Sequence, residues 1–310
     1  MRKISEIYVN GVCLTAILED HNKWLNNEGG KRANLMGVDL NCVDLSDVNL
    51  KNANLTDTNL RCANLTCINL SGADLELADL SRVNLKSANL RNSNLNNSDL
   101  MGADLTDADL NYSDLNGVDL RCAVLIGAKL NGVDLTGAKL NGADLTGADL
   151  TGADLTVAKL NGTILMNVKL NGANLNFADL TGVKLSGADL ENVKYNSKTS
   201  FFAMQCPEKG SFVGYKRADN KIVELLITED SKRSSATTRK CRCSKAKVLS
   251  ITNIENTEEY NEVVSNFDNN FIYRVGETVE VKDFDDDRWN ECSTGIHFFI
   301  TRDEAVMYLN

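Results

Sequence analysis

The residues that could bind a metal ion lie near the C-terminal end of the chain. Cys241, Cys243, Cys292 and His297 could together supply four zinc ligands. Their spacing, C-x-C followed later by C-x4-H, is not that of a standard zinc finger, and His297 lies in an apolar run where a buried core histidine is commoner. We therefore expect no metal ion and no cofactor.

Catalytic chemistry finds little support in the same region. Cys292 and His297 could form a nucleophile and its base, but no third group that would orient the base is identifiable, and no phosphate-binding glycine loop occurs. The acidic cluster at 283–287 lacks the glycine and the twelfth-position glutamate of a calcium loop, since the twelfth residue from Asp283 is Thr294. We predict a solvated turn there and a protein that is not an enzyme.

A basic stretch without acidic residues extends from 231 to 254. We favour a mobile basic loop, and the alternative is that Arg239, Lys240 and Arg242 bind an anionic partner, either nucleic acid or an acidic protein face. No aromatic residue interrupts the stretch, so it gives no indication of base stacking.

A period of five dominates the middle of the chain, because every fifth residue from Leu35 to Leu190 is leucine, 32 in all. Two residues before each leucine stands a small or β-branched residue, and the residue directly before it is usually Asp or Asn. A helix would scatter these leucines around its axis, and a flat strand would alternate them between faces. The chain must instead turn a corner every five residues, with leucine and the small residue pointing inward and Asp or Asn outward.

This A-(D/N)-L-x-x pattern resembles the pentapeptide-repeat family over residues 31–195. The resemblance implies a mainly β fold: a right-handed quadrilateral β-helix of about eight coils, each coil being four repeats or 20 residues. The ending W-N-E-C-S-T-G-I-H-F-F-I-T-R-D-E-A resembles an uncharacterised domain that follows such repeats in viral and phage-type proteins, and implies no activity. We predict an N-terminal helical cap (1–30), the repeats (31–195) and a small α+β domain (196–310).

Residues 20 apart should share a column on one face of such a helix. The predicted core has one leucine of a column in each successive coil: Leu50, Leu70, Leu90, Leu110, Leu130, Leu150 and Leu170. The predicted partner-binding residues are outward aspartates of two columns, Asp79, Asp99 and Asp119 in one and Asp114, Asp134 and Asp154 in the other.

The two ends carry different patterns. Residues 12–26 predict an amphipathic helix with Leu14, Ile17 and Leu18 on its apolar face, placed to cover the first coil. At the other end, Thr301 and Glu304 have capping-box spacing and predict a closing helix. The predicted strands of this domain lie at 212–215, 222–227, 248–251, 271–275 and 296–300.

These patterns favour a non-catalytic protein-interaction scaffold that presents flat faces and a C-terminal recognition domain. A first alternative is a DNA mimic, because some members of the resembled family imitate duplex DNA and bind type II topoisomerases. This chain departs from those members by its 13 basic residues within 31–190 and its lack of a looped insertion. A second alternative is a metal-binding or enzymatic C-terminal domain.

Charge and cysteine content indicate which partners and which cellular compartment to expect for this chain. Residues 31–190 carry 13 basic and 19 acidic side chains and so contribute −6 of the net charge of −10, which argues against direct nucleic-acid binding by the repeats. Nine cysteines without framework spacing, no signal peptide and no apolar run of membrane-spanning length predict a cytoplasmic protein without a membrane span. Uncovered end coils would expose strand edges, so we expect caps or a homodimer through the end domains.

Overall fold

The computed structural model describes residues 1–200, 205–235, 238–268, 270–290 and 293–308. The chain forms two compact units, Met1–Ser200 and Phe201–Asn310. Its secondary structure is mainly β with few helices, which confirms the fold class at that level. The predicted boundary at 195/196 stays a prediction beside this division.

Parallel bridges organise the first unit. Each residue that directly precedes a repeat leucine, from Asn34 to Asn174, is bridged to the residue 20 positions later, as Asn54 is to Asp74 and Asp74 is to Asn94. The leucine that follows donates its N–H across the same step, with 2.7 Å between Leu55 N and the Asp74 carbonyl oxygen. The chain therefore returns to the same place every four repeats, and each short strand pairs only with the repeats directly before and after it in its column.

Leucine fills the interior of this unit. The 31 leucines at every fifth position from Leu35 to Leu185 are at most 2% exposed, the seven predicted core leucines among them, whereas Leu190 at the end of the series is half-buried. Burial of one leucine contributes roughly 1.5–3 kcal/mol. Polar residues at the small inward positions are satisfied locally: Thr58 donates its hydroxyl to the Leu35 carbonyl oxygen (2.8 Å) and Ser93 to that of Leu90 (2.6 Å).

The N-terminal segment covers part of the first coil. After a 3-10 turn (Ile4–Glu6) come strands β1 (Tyr8–Val9) and β2 (Val12–Cys13) and helix α1 (Leu14–Leu25), which confirms the predicted helix with shorter ends. Leu14, Leu18 and His21 are its buried residues, while Ile17 is only half-buried. The ring nitrogen Nδ1 of His21 accepts the N–H of Ala33 (3.0 Å), so the helix binds the backbone where the repeats begin.

The described residues of the second unit form small antiparallel sheets and one helix. Its four-stranded sheet has the order β10 (Thr278–Glu280), β7 (Lys245–Asn253), β4 (Lys221–Ile227) and β3 (Phe212–Ala218). Its three-stranded sheet has the order β11 (Ile296–Phe298), β6 (Cys241–Cys243) and β5 (Arg233–Ser235), and β8 (Glu262–Val264) pairs with β9 (Ile272–Arg274). Helix α2 (Arg302–Met307) closes the unit with the predicted capping box of Thr301 and Glu304.

The observed strands of this unit test two predictions, one about strand positions and one about the basic stretch. Each of the five predicted strand regions overlaps an observed strand, which confirms them. The prediction of a mobile basic loop over 231–254 is wrong, because strands β5, β6 and β7 all lie within it. Arg233 illustrates the reason: its guanidinium donates to the carbonyl oxygens of Gly210 (2.7 Å), Thr228 (2.8 Å) and Glu229 (3.0 Å), so the charge is satisfied by backbone rather than by solvent alone.

Gly214 lets the edge strand β3 pack closely on β11. A Cβ atom at this position would stand 2.5 Å from Cδ2 of Phe298 and 3.0 Å from Cδ1 of Ile227. Beyond that contact, the backbone of Tyr215 bridges that of Phe299 directly after β11. Phe298 and Ile227 belong to the core of the unit, which also contains Leu225, Val248 and Tyr273.

Candidate functional site

The outward aspartates of the repeats accept hydrogen bonds from the backbone of their own turns. The Oδ1 atoms of Asp114, Asp134 and Asp154 accept the N–H of the residue two positions later, at 2.9, 2.8 and 2.9 Å. Short polar side chains make such bonds in turns, and Asn makes them as well as Asp. An outward carboxylate is therefore explained by turn geometry before any partner is considered.

The two predicted acidic columns differ in how far they are neutralised. Asp79, Asp99 and Asp119 are bridged in sequence, and Asp119 forms ion pairs with Arg121 (2.7 Å) and Lys139 (3.3 Å). Burial raises the pKa of Asp119, but hydrogen bonds from these two cations outweigh it and leave the pKa below its usual value. The negative charge of this column is therefore neutralised at Asp119 by the cations of Arg121 and Lys139.

The second column keeps three consecutive carboxylates. Asp114, Asp134 and Asp154 are bridged one after another, with neighbours about 4.8 Å apart. Within the described residues, none of the three has a basic side chain within 4.0 Å. Solvent and salt screen this charge, so its reach is about one Debye length, roughly 8 Å at physiological ionic strength.

An apolar patch interrupts the polar outer surface of the repeats. Among the 32 residues directly before the repeat leucines, only Val124 and Ile164 are apolar. Both are bridged to Asp144 between them, so they lie two coils apart in one column, about 10 Å from each other. Ile126 and Met166, two residues further on in the same coils, are 40% and 37% exposed. We call Val124, Ile126, Ile164 and Met166 the apolar patch.

The predicted basic residues of the second unit lie in unlike surroundings. Arg239 is exposed and pairs with Glu304 (2.5 Å), while the Lys240 ammonium lies 5.9 Å from the ring centre of Tyr308. Arg242 is only 2% exposed and donates to the carbonyl oxygens of Thr294 (3.0 Å) and Asp287 (2.8 Å). The structure does not assemble the three into one exposed cationic surface, and Arg242 holds backbone segments together.

The predicted zinc residues are not brought together in the described part of the chain. Cys241 and Cys243 face the apolar core, whereas His297 pairs in register with Arg242 and therefore points to the other face of the sheet. Burial raises the pKa of Cys243 to about 12, so its thiol stays protonated at neutral pH. Cys292 lies outside the described residues, within which no three His, Cys, Asp or Glu side chains are arranged to hold a metal ion.

A cavity of about 750 Å³ opens in the second unit, within the range of small-molecule sites. Phe271, Tyr273, Phe299 and Tyr308 contribute aromatic side chains to its lining, and Lys216 contributes a buried amine. Lys216 occupies one of three buried positions of β3, between Gly214 and Ala218, and is 6% exposed.

The Lys216 amine has few polar neighbours. Its Nζ atom donates to the His297 carbonyl oxygen at 3.4 Å and lies 5.8 Å from the ring centre of Tyr273. No carboxylate of the described residues lies within 4.0 Å of it. Burial, with a smaller contribution from the charge of Lys240, lowers the pKa of Lys216 to about 8. Sequence reasoning missed this residue, although a lysine in phase with Gly214 and Ala218 in a strand was a usable signal.

Comparisons with known proteins address both parts of the chain. The family model of pentapeptide repeats (8 copies) matches six stretches that together span residues 31–194, more than half of the chain. A family of unknown function (DUF5758) matches residues 202–305, which confirms the uncharacterised C-terminal domain and leaves its viral or phage-type source a prediction. No curated protein matches the chain.

Several solved structures are similar to the repeats. HetL, a pentapeptide repeat protein involved in heterocyst differentiation regulation from the cyanobacterium Nostoc sp. Strain PCC 7120, is 32% identical, covers 53% of this chain and 83% of its own, with a TM-score of 0.41. QnrB1, a plasmid-mediated fluoroquinolone resistance protein, is 20% identical over 54% of this chain and 86% of its own (TM-score 0.28). A pentapeptide repeat protein from the Arabidopsis thaliana thylakoid lumen is 29% identical over 39% and 67% (TM-score 0.20).

The described helices also bear on membrane association. Neither α1 nor α2 is long and apolar enough to cross a lipid bilayer, and the described residues contain no other α-helix.

Proposed function

We propose a binding function for this chain, which belongs to the pentapeptide-repeat family: it is a non-catalytic scaffold that docks a protein partner on the outer surface of its repeats. We further propose that the repeats form a right-handed quadrilateral β-helix of about eight coils. The 20-residue step of the parallel bridges supports four sides per coil, because each repeat of five residues then supplies one side. A homodimer and a cytoplasmic location remain predictions.

The packed interior directs recognition to the outside of the repeats. Leucine, alanine and valine side chains fill most inward positions, and the leucines at every fifth position from Leu35 to Leu185 are at most 2% exposed. A substrate that had to enter this interior would displace well-packed side chains at a cost of several kcal/mol. Any partner must therefore contact the outward positions or the second unit.

The apolar patch is the observation that carries the proposal. Asp or Asn would close the turns at positions 124 and 164, yet the chain has Val124 and Ile164 there, with Ile126 and Met166 beside them. Val124 and Ile164 are half-buried with Asp144 between them, so the patch consists of two small apolar groups. Apolar side chains at a polar surface are found at protein–protein contacts, in which a few central apolar residues carry most of the binding energy. We propose that these four residues form the centre of the interface and that the neighbouring aspartates form its polar rim.

Replacement of the two patch residues by the family's own residue type gives a sharp test. The variant Val124→Asp with Ile164→Asp restores the side chains that close the neighbouring turns, so we expect the fold and its melting temperature to be preserved. Full-length wild-type protein and the variant are used as baits in the host lysate, and retained proteins are quantified by mass spectrometry. Asn54→Asp with Asn94→Asp is the matched control, because these two residues likewise lie two coils apart on either side of an aspartate, Asp74, but in another column.

The expected outcome is a protein retained by the wild type and by the Asn54→Asp, Asn94→Asp control, with at least tenfold less retained by the Val124→Asp, Ile164→Asp variant. At least 1.4 kcal/mol of binding energy corresponds to that factor. Equal retention of every protein by all three baits would show that the apolar patch is not the binding surface.

A DNA mimic remains the second candidate, and the unpaired column of Asp114, Asp134 and Asp154 favours it. Stacked carboxylates would imitate the negative charge that a DNA-handling enzyme recognises. A DNA supercoiling assay with purified gyrase tests this role. We expect inhibition or protection by the wild type and its loss when the three aspartates are replaced by Asn, which preserves the turns; no effect of wild-type protein at micromolar concentration excludes this candidate.

A further inference from the structure

The cavity of the second unit contains an amine where a strand would ordinarily place an apolar side chain. Gly214, Lys216 and Ala218 are the successive buried positions of β3, so strand alternation aims the Lys216 side chain inward. Its only hydrogen-bond acceptor among the described residues is the carbonyl oxygen of His297, at 3.4 Å. A lysine that merely stabilised the fold at this position would be expected to have a carboxylate partner, because burying an unpaired ammonium is costly.

The groups that face this amine determine its chemistry. Tyr273 of β9 approaches with its ring, and His297 of β11 with its backbone oxygen. Lys240, before β6, adds positive charge, and burial keeps the thiol of Cys243 and the phenol of Tyr273 protonated by raising their pKa values. Desolvation is the largest effect and, with the charge of Lys240, lowers the pKa of Lys216. It outweighs a smaller opposing effect of Cys243 and the preference of the Tyr273 ring and the His297 carbonyl oxygen for an ammonium.

A neutral lysine amine is a nucleophile, and desolvation in an apolar pocket is one of the ways in which proteins produce one. At pH 7 a lysine with a pKa of about 8 is about one-tenth free amine, whereas an exposed lysine is free in about one molecule in several thousand. The surrounding space admits a ligand, since the cavity of about 750 Å³ greatly exceeds the volume of one aromatic ring.

We propose that Lys216 is a reactive amine that binds a small aromatic aldehyde or ketone as an imine inside this cavity. The inference concerns the second unit alone and goes beyond the scaffold function of the repeats. The aromatic class follows from the lining, because Phe271, Tyr273, Phe299 and Tyr308 offer ring surfaces on which a planar ligand packs.

The covalent step requires no oxidant, reductant or metal ion. The lone pair of Nζ attacks the carbonyl carbon, the π electrons of the C=O bond move to oxygen, and a proton passes from nitrogen to that oxygen to give a carbinolamine. The C–O bond then breaks, and the second nitrogen proton leaves with the hydroxyl as water. The net change is one amine and one carbonyl converted into one C=N bond and one water molecule.

Cyanoborohydride trapping tests the proposal on the full-length protein. Benzaldehyde is added at pH 7 with sodium cyanoborohydride, which reduces the imine in preference to the free aldehyde and gives a stable benzyl amine, and peptide mass spectrometry locates and quantifies the benzyl groups. We expect Lys216 to be labelled at least tenfold faster than the exposed lysines. Lys216→Met should lose this label, whereas Lys282→Met, which changes an exposed lysine at the same cavity, should keep it.

Two controls keep each outcome decisive. The thermal melt of Lys216→Met shows whether that variant is folded, and the rate advantage of Lys216 in the wild type stands as an independent measurement if it is not. Benzoate offers the same ring with a carboxylate that forms no imine. Labelling of Lys216 no faster than that of exposed lysines overturns the proposal, and stabilisation by benzoate that requires Lys216, without a benzyl label, would identify a non-covalent anion site instead.

Discussion

Replacing Lys216 with Met should stabilise the second unit in a pH-dependent manner. Because the pKa of Lys216 is lowered from 10.5 to about 8 by burial, the unfolded chain binds a proton between these pH values that the folded protein does not. Each unit of pKa corresponds to about 1.4 kcal/mol, so protonation of the unfolded chain costs about 3 kcal/mol of stability at pH 7. This cost falls to about 2 kcal/mol at pH 9 and to less than about 0.5 kcal/mol at pH 10.5.

Methionine has a similar length, does not titrate and packs well in irregular apolar space. We therefore expect the Lys216→Met protein to be more stable than the wild type at pH 7, with an advantage that shrinks by about 2–3 kcal/mol as the pH rises to 10.5. Other groups titrate equally in both proteins, so their contribution cancels in the difference.

Urea unfolding measures this difference with a reporter that the sequence supplies. The chain has two tryptophans, and Trp289 is the one within residues 201–310. In a Trp24→Phe background its fluorescence follows the second unit alone, and the free energies of unfolding of both proteins are determined at pH 7, 9 and 10.5. A stability difference that is independent of pH, or a wild type more stable than Lys216→Met at pH 7, would refute the assignment of a desolvated amine.

Two predictions concern the first unit. Leu110→Asn should lower the free energy of unfolding by about 3–5 kcal/mol through lost packing and a buried amide. The same substitution at Leu77, which is 54% exposed in a turn with φ of 59°, should change it by less than about 1 kcal/mol. Equal effects of the two substitutions in a thermal melt would contradict the inward orientation of the repeat leucines. Burial lowers the pKa of His21, so the contribution of the neutral imidazole to stability is complete above pH 6.5 and is lost as the pH falls through that value. The melting temperatures at pH 7.5 and pH 5.5 should therefore differ more for the wild type than for His21→Gln.

The repeats were predictable because one spacing determines both the backbone and the core. Leucine every fifth residue requires a corner in each repeat, and the structure buries those leucines while bridging residues 20 apart. Prediction was less complete at the N-terminal end, where the pattern stops. His21 is fully buried there and accepts the N–H of Ala33, but a histidine among polar residues of a short helix gives no periodic signal.

The second unit was less predictable because its charges find partners far away in the chain. The sequence 231–254 appears solvated when only its composition is considered, yet Arg242 reaches the carbonyl oxygens of Asp287 and Thr294. Lys216 likewise depends on His297 and Tyr273, more than 50 residues away. Strands were recognisable from local apolar runs, whereas burial of a particular cation depends on pairings between strands that no local pattern specifies.

The outward residues of the repeats have two separate roles: their side chains close the turns by hydrogen bonds, and some of them carry charge. Asp and Asn both accept the N–H two residues later, so a position where neither occurs forgoes a hydrogen bond of about 1 kcal/mol. Lys139 and Lys169 forgo it, and each forms an ion pair with the aspartate one coil earlier, Asp119 or Asp149. Val124 and Ile164 forgo it and make no polar contact in exchange through their side chains. Apolar contact with a partner would offset that loss, which supports the proposal that the apolar patch, rather than the more numerous aspartates, is the centre of the interface.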